Sequence, residues 1–148
     1  MRVLLQRVST ASVVVENQTI ARINTGLLAL VAIVRTDTPE LAQQLAQRLC
    51  RWSMFSDAQG RLTQSLKDTN AELLVVPQFT LAAVAHKGTR ADFSAAMPAK
   101  TAQPLFQKLL EYLQSELGLD AIPTGVFGAH MTVQLTNDGP VSVVLDQN

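Results

Sequence analysis

The sequence predicts an α+β protein: a curved, barrel-like, mainly antiparallel sheet with two packed helices. Three observations carry that expectation. Short runs rich in Val, Ile and Leu recur along the chain, separated by turn residues, and some alternate apolar with polar. Two longer segments space their apolar residues as a helix does: Leu41, Leu45, Leu49 and Trp52, then Leu105, Leu109, Tyr112, Leu113 and Leu117. One run, Leu73 to Val76, is wholly apolar and stops at Pro77, as a buried strand does where its ladder ends. Strands with helices inserted among them fit a sheet covered on one side.

In order, residues 2–8 and 12–16 read as strands, the second built on Val13, Val14 and Val15. Glu16 to Thr19 makes a hairpin turn and 20–23 the return strand. After the Asn24-Thr25-Gly26 turn, Leu27 to Val34 is apolar throughout, the pattern of a strand buried on both faces or of a barrel wall. Thr38 caps the first helix and Pro39 suits its first position. Ala42 and Ala46 let its stripe lie close to a sheet, and Cys50, in or beside the stripe, reads as a small core residue. Phe55 to Arg61 is a turn, and 62–70 an irregular polar connection. The segment 84–98 lacks periodicity and holds the densest basic cluster, with His86, Lys87 and Arg90; long loops in compact domains are functional or disordered. Gly118 ends the second helix. Pro123 to Gly128 is a loop, His130 to Thr136 alternates as a strand, and Asn137-Asp138-Gly139-Pro140 turns the chain into a last strand, Val141 to Leu145.

The chain has 148 residues, 47% hydrophobic and 16% charged, without internal repeat or linker, so 1–148 is expected to be a single domain with its own core. Lys and Arg (12) balance Asp and Glu (12), so any contact with RNA must come from a local basic patch rather than from net charge. The single cysteine excludes an intrachain disulfide framework. No apolar run approaches the roughly 20 residues that span a bilayer. The start turns polar too early for a signal peptide. A cytoplasmic setting without membrane attachment is expected.

Familiar catalytic patterns are missing. The sequence has no phosphate-binding glycine loop, no His-Glu-x-x-His and no Cys/His spacing for zinc. His86 and His130 sit in no triad signature, and Asp57, Asp68 and Asp92 fall in turns where Asp bonds locally. An enzyme built from this chain would work without the usual acid–base residues. The polar trio Gln78, Phe79 and Thr80, set at the break in the central strand, is either ordinary turn chemistry or a site.

Two stretches tip that choice. Pro77-Gln78-Phe79-Thr80-Leu81-Ala82 and Asn137-Asp138-Gly139-Pro140-Val141 resemble the two signature motifs of the D-aminoacyl-tRNA deacylases. Leu5-Gln6-Arg7-Val8, Gly26-Leu27-Leu28, Phe55-Ser56-Asp57, Gly88-Thr89-Arg90 and Phe127-Gly128-Ala129-His130-Met131 resemble further parts of that family, in the same order. The resemblance implies a homodimeric cytosolic enzyme that hydrolyses the ester between a D-amino acid and the terminal adenosine of tRNA, and that also clears glycine mischarged on alanine tRNA. It implies no metal and no organic cofactor. Its partners would be the aminoacylated 3′ end of tRNA and a second copy of the chain, with the active site at the subunit interface.

An aminoacyl ester is already activated, so such an enzyme mainly positions water and stabilises an oxyanion. By the resemblance, catalysis falls to Gln78, Phe79 and Thr80, with backbone N–H groups near Phe79 and Thr80 holding the oxyanion and the 2′-hydroxyl of the terminal ribose assisting the water. Substrate binding and chiral selection fall to Gly139, Pro140, Met131, Phe127 and Asn137, with Gly139-Pro140 a Gly-cis-Pro element reaching into the other subunit's pocket. Backbone carbonyls there would leave room for hydrogen but not for an L side chain, and achiral glycine would pass. Contacts to tRNA fall to Lys87, Arg90 and Arg7. The chain departs from the family at Pro77, where serine is common, which removes a serine nucleophile. It also departs at Ala85-His86-Lys87 and Ala91, which bears on tRNA contacts. The other readings are a catalytically silent relative that binds tRNA ends, and an esterase using Ser94 or Ser142, for which no nucleophile-elbow sequence is present.

Overall fold

The structure, a computed structural model, describes residues 1–84 and 90–148; His86 and Lys87 lie outside the described residues. In chain order the elements are β1 (Arg2–Val15), β2 (Gln18–Ile23), β3 (Gly26–Ala32), α1 (Pro39–Arg51), β4 (Phe55–Ser56), β5 (Leu62–Gln64), β6 (Glu72–Pro77), α2 (Ala99–Leu117) and β7 (Thr132–Asp146).

Everything is assembled on β1. The two strands expected over 2–8 and 12–16 are one, because β7 pairs antiparallel along its whole length and carries it across the exposed Ser9-Thr10 step. On its other side β1 pairs antiparallel with β3 through Arg2–Val8 and with β2 through Ala11–Val15. Glu16 and Asn17, with φ of 48° and 63°, form a two-residue hairpin turn of the type whose twist matches the flanking strands. Next, β6 lies parallel to β3, which makes the sheet mixed although its other pairings are antiparallel. The sheet curls into a half-barrel with the two helices packed on it.

The apolar runs of β3 and β6 follow from two cores. Leu27, Ala29, Val31, Leu73 and Val75 face α1 and α2, where they meet Leu45, Leu49, Leu109 and Leu113. Leu28, Leu74 and Val76 point the other way, to Val8, Val13 and Ile23 inside the curl. Neither face of these strands is wet, so neither needs polar residues. Thr38 Oγ1 accepts from Leu41 N at 3.4 Å and caps α1, with Pro39 at its start. Cys50 is buried, and burial pushes its thiol up to about 11. It is an unreactive core residue.

Two expectations change, and the second helix gains a defined start. The connection 62–70 is not irregular: β4 and β5 pair, and Leu66–Asp68 forms a 3₁₀ turn in which Asp68 accepts from the backbone and hydroxyl of Ser65. The second helix begins at Ala99, ahead of its apolar stripe, with Pro104 inside it. The expected turn at Asn137 to Pro140 lies inside one strand, β7, as a bulge against β1.

Candidate active site

The first half of the site is the end of β6. Pro77 still pairs with Val31 of β3, and Gln78 N donates to Val31 O at 2.7 Å as the last rung. With φ −142° and ψ 74°, Gln78 then leads into a 3₁₀ turn over Phe79–Ala82. Leu81 N and Ala83 N donate back to Gln78 O and Thr80 O. The N–H groups of Phe79 and Thr80 stand at the first two positions of that turn, where no intrahelical acceptor exists, and neither finds one among the described residues. The Gln78 amide donates to Thr80 Oγ1 across the turn. An amide N–H cannot take a proton from the hydroxyl, and no carboxylate or imidazole among the described residues bonds to it, so nothing there activates Thr80 as a nucleophile.

Beside this turn lies a cavity of about 320 Å³. Val31, Ile33, Pro77, Met97, Ala102, Phe106 and Phe127 give it apolar walls, and Gln78, Phe79 and Gly128 stand at its polar side. None of its lining side chains titrates. Phe106 and Phe127 meet at 5.9 Å between ring centroids, while Phe79, 57% exposed, lies edge-on to Phe93 at 5.3 Å. Met131 is close by: a Cβ on Gly125 would come within 2.8 Å of its Sδ and 3.3 Å of Pro77 Cδ. The structure therefore brings Gln78, Phe79, Phe127 and Met131 into one neighbourhood, with Thr80 exposed at its edge. Arg90 is exposed in the loop. Sequence reasoning missed Phe106, Ala102 and Met97; their helical or loop positions carry no linear signal that they face a cavity rather than the core.

The second half is the bulge in β7. Between Asn137↔Val8 and Ser142↔Gln6, β7 advances from 137 to 142 while β1 advances only from 6 to 8, so Asp138 to Val141 are extruded. The Gly139–Pro140 bond is cis. Gly139 has φ +129°, and a Cβ there would sit 2.7 Å from Val141 Cγ2, so no other residue fits without displacement. Asn137 Nδ2 donates to Arg7 O at 3.2 Å and Val141 O at 3.1 Å, closing the neck of the bulge. Arg7 Nε donates to Asp138 O at 3.1 Å and meets the Asp138 carboxylate at 3.3 Å, and its Nη1 donates to Met54 O at 3.0 Å. With its side chain only 14% exposed, Arg7 is a strut of the bulge. Asp138, which supplies the strut's other end, had no signal in the sequence beyond its place in the motif.

The two halves do not meet within one chain. Arg7, opposite the bulge, pairs with Leu27, beside Leu73, whereas Pro77 lies beside Val31, at the other end of the parallel pair. That is four residues along the strands and three strands across, or about 13 Å by about 14 Å on ordinary sheet spacings. No residue of the bulge lines the aromatic cavity. Arg7 and Asp138 instead line a separate polar cavity of about 430 Å³ with Phe55, Ser56 and Gln64. On the same strand beside the bulge, Leu135 and Val144 are 38% and 61% exposed.

Likeness to known proteins extends along nearly the whole chain. The model of the D-Tyr-tRNA(Tyr) deacylase family matches residues 4–146. A D-aminoacyl-tRNA deacylase of Opitutus terrae is 44% identical over 148 residues, covering 100% of this chain and 98% of the relative. One from Nitrosococcus oceani is 47% identical over 144 residues, covering 96% and 90%. Among solved structures, a c-Myc DNA unwinding element binding protein superposes with a TM-score of 0.95 at 34% identity, over 100% of this chain and 99% of that one. The structure of a probable eukaryotic D-amino acid tRNA deacylase shares the fold, with a TM-score of 0.86 at 17% identity over 97% of both chains.

Proposed function

The chain belongs to the D-Tyr-tRNA(Tyr) deacylase family and is a hydrolase acting on ester bonds; from that premise we propose that it releases D-amino acids from tRNA at a site completed by a second copy of itself. The observation that carries this reading is the turn after β6, which presents the N–H groups of Phe79 and Thr80 beside an apolar, aromatic cavity with no titratable side chain. The terminal adenosine is the same on every charged tRNA, so the constant part of the substrate is the natural occupant of this cavity. The cavity takes the base of the terminal adenosine, with Phe127, Phe106 and Met131 as its apolar neighbours. The ester carbonyl then lies over the turn.

Water attacks that carbonyl, and the developing oxyanion is held by the Phe79 and Thr80 N–H groups. The 2′-hydroxyl of the terminal ribose assists the water, so the chain needs no general base. The side-chain hydrogen bond from Gln78 to Thr80 is a secondary brace on a turn that its backbone bonds already hold. Collapse of the tetrahedral intermediate breaks the ester, and the ribose oxygen stays on tRNA as a hydroxyl, taking the proton that the attacking water gives up through the neighbouring 2′-hydroxyl.

Selection falls to the bulge of the partner copy. Its separation from the turn within one chain, and the exposed Leu135 and Val144 beside it, support a site made from two subunits. Peptide groups around Gly139 and Pro140, braced by Arg7 and Asn137, face the substrate's α-carbon and exclude an L side chain by contact. Glycine carried on alanine tRNA passes the same filter. The cellular role is proofreading of charged tRNA in the cytoplasm. Among the described residues no helix is long and apolar enough to cross a membrane.

The test is hydrolysis of D-tyrosyl-, L-tyrosyl- and glycyl-tRNA by the purified protein and by Thr80→Ala. Loss of the D and glycyl esters with the L ester spared is expected, and Thr80→Ala keeps most of the activity. Turnover of the L ester at a similar rate would remove the chiral filter. A dead but folded Thr80→Ala would restore the hydroxyl to the chemistry.

A further inference from the structure

Phe106 and Phe127 line two adjoining cavities. The inner one is the aromatic cavity assigned above to the terminal adenosine. The outer one, of about 430 Å³, opens along α2 and has a different chemistry. Lys100, Gln103 and Gln107 line it from one helix face, spaced three and four residues apart, and all three are exposed. None has a hydrogen-bonding or ionic partner among the described residues, so none is occupied in holding the fold together. Pro104, which also lines this cavity, has no N–H, and the Lys100 carbonyl therefore lacks its regular helical donor.

We infer that the outer cavity is a subsite for the nucleotide preceding the terminal adenosine. The inference rests on the deacylase reading and specifies how its substrate is held. A tRNA ends in an unpaired single strand, and such strands are bound by stacking on aromatic rings, by hydrogen bonds to exposed base edges and by cations at the phosphates. With the terminal base in the inner cavity, the adjoining cavity, which shares Phe106 and Phe127 with it, lies within reach of the next nucleotide. The preceding residue in tRNA is cytidine. Its base edge offers one donor group and two acceptors, and the amides of Gln103 and Gln107 each supply both kinds of partner. The Lys100 carbonyl adds an acceptor suited to the cytosine amino group, and the Lys100 ammonium serves the phosphate. The neutral overall charge of the chain makes such local contacts the means of holding RNA.

The test compares two substrates of the whole protein: D-tyrosyl-tRNA, and D-tyrosyl-adenosine, which ends at the nucleotide in the inner cavity. Gln103→Ala with Gln107→Ala is expected to raise KM for the tRNA about ten-fold, leaving kcat and the adenosine ester unchanged. Lys100→Ala should weaken tRNA binding and flatten its salt dependence by about 0.7 in log–log slope, the value for one phosphate on a single strand. These positions are exposed on the helix, and a melting curve checks that the variants fold. Equal loss on both substrates would make the residues supports of the inner cavity and overturn the subsite. No effect on either substrate would also overturn it. Failure of the unsubstituted protein to hydrolyse either ester would refute the deacylase reading itself, and the subsite with it.

Discussion

The turn at Gln78 to Thr80 and the bulge at Asn137 to Val141 are the two distinctive stretches of this chain, and they are built in opposite ways. The turn is made by backbone. A strand buried on both faces runs out at a proline, its last rung is Gln78 N to Val31 O, and the chain coils so that two N–H groups are left without helical acceptors. The bulge is made by side chains. Asn137 ties its neck, Arg7 braces its flank, and Gly139 allows a backbone conformation that a Cβ would obstruct. The turn has a cavity of its own, whereas the bulge projects from a strand with exposed apolar residues and lines no part of that cavity. Backbone positions tolerate side-chain replacement where the N–H survives; a side-chain brace does not. The difference separates the chemistry from the selection and makes each open to attack alone.

The largest effect is expected where the backbone itself is altered. Proline suits the first position of a helical turn but has no N–H, so Phe79→Pro deletes one of the two proposed oxyanion donors. The rate constant on D-tyrosyl-tRNA should fall about 100- to 1000-fold, the usual cost of one such donor. Phe79→Leu retains the N–H and should stay within about ten-fold of the parent, on the scale of a lost aromatic contact. If both variants fail equally in single-turnover assays, the ring rather than the N–H does the work.

The next experiment crosses the two regions. Gly139→Val places a branched side chain at φ +129°, where even a Cβ lies 2.7 Å from Val141 Cγ2, and should disable the bulge while leaving the turn untouched. Phe79→Pro does the reverse. Gly139→Val should then hydrolyse both the D and the L ester, and Phe79→Pro barely either. When Gly139→Val is unfolded and refolded with an equal amount of Phe79→Pro, half of its turns meet an intact bulge in mixed dimers, so L-ester turnover should fall to about half while D-ester turnover is unchanged. An unchanged L-ester rate would place the turn and the bulge of one site in the same chain, against the separation estimated along β3 and β6.

How much of this was legible in the sequence follows from the same contrast. Strand and helix periodicity located β3, β6 and α1 because their burial patterns are local, and Thr38, Pro39 and Gly118 marked helix ends by their own conformational preferences. The continuity of β1 and of β7 was not legible. It depends on each strand pairing with the other across more than a hundred residues of sequence. Asn137-Asp138-Gly139-Pro140 has the composition of a turn, and only its partner strand makes it a bulge. Motif resemblance pointed to Gln78, Phe79, Phe127 and Met131, which the fold brings together, but it also grouped Arg7 with tRNA contacts. Arg7 carries its charge inward to Asp138 and Met54, a use visible only once Met54 is placed beside it.

The smallest expected effect reaches the bulge from behind. Asp57 organises the β4–β5 hairpin by accepting from the backbone of Gln59 and Arg61 at 2.9 Å each and from the Thr63 hydroxyl at 3.1 Å. The hydrogen bond from the Arg61 backbone is the main reason its carboxyl is held below the usual aspartate range. A lowered folded-state value means that the ionised carboxylate stabilises the hairpin at pH values above its unfolded pKa, and that this support is lost as pH falls through the folded value. Asp57→Asn should therefore melt slightly below the parent at pH 7, and the two melting curves should converge on acidification below the ordinary aspartate range. Met54, whose carbonyl holds Arg7, sits at the foot of this hairpin through its bond to Gln64 O at 3.0 Å. The same substitution should thus lower discrimination between D- and L-tyrosyl-tRNA while leaving turnover of the D ester at the parental rate. A loss of D-ester turnover without a change in discrimination would connect the hairpin to the turn after β6 instead, and would break the separation of the two regions.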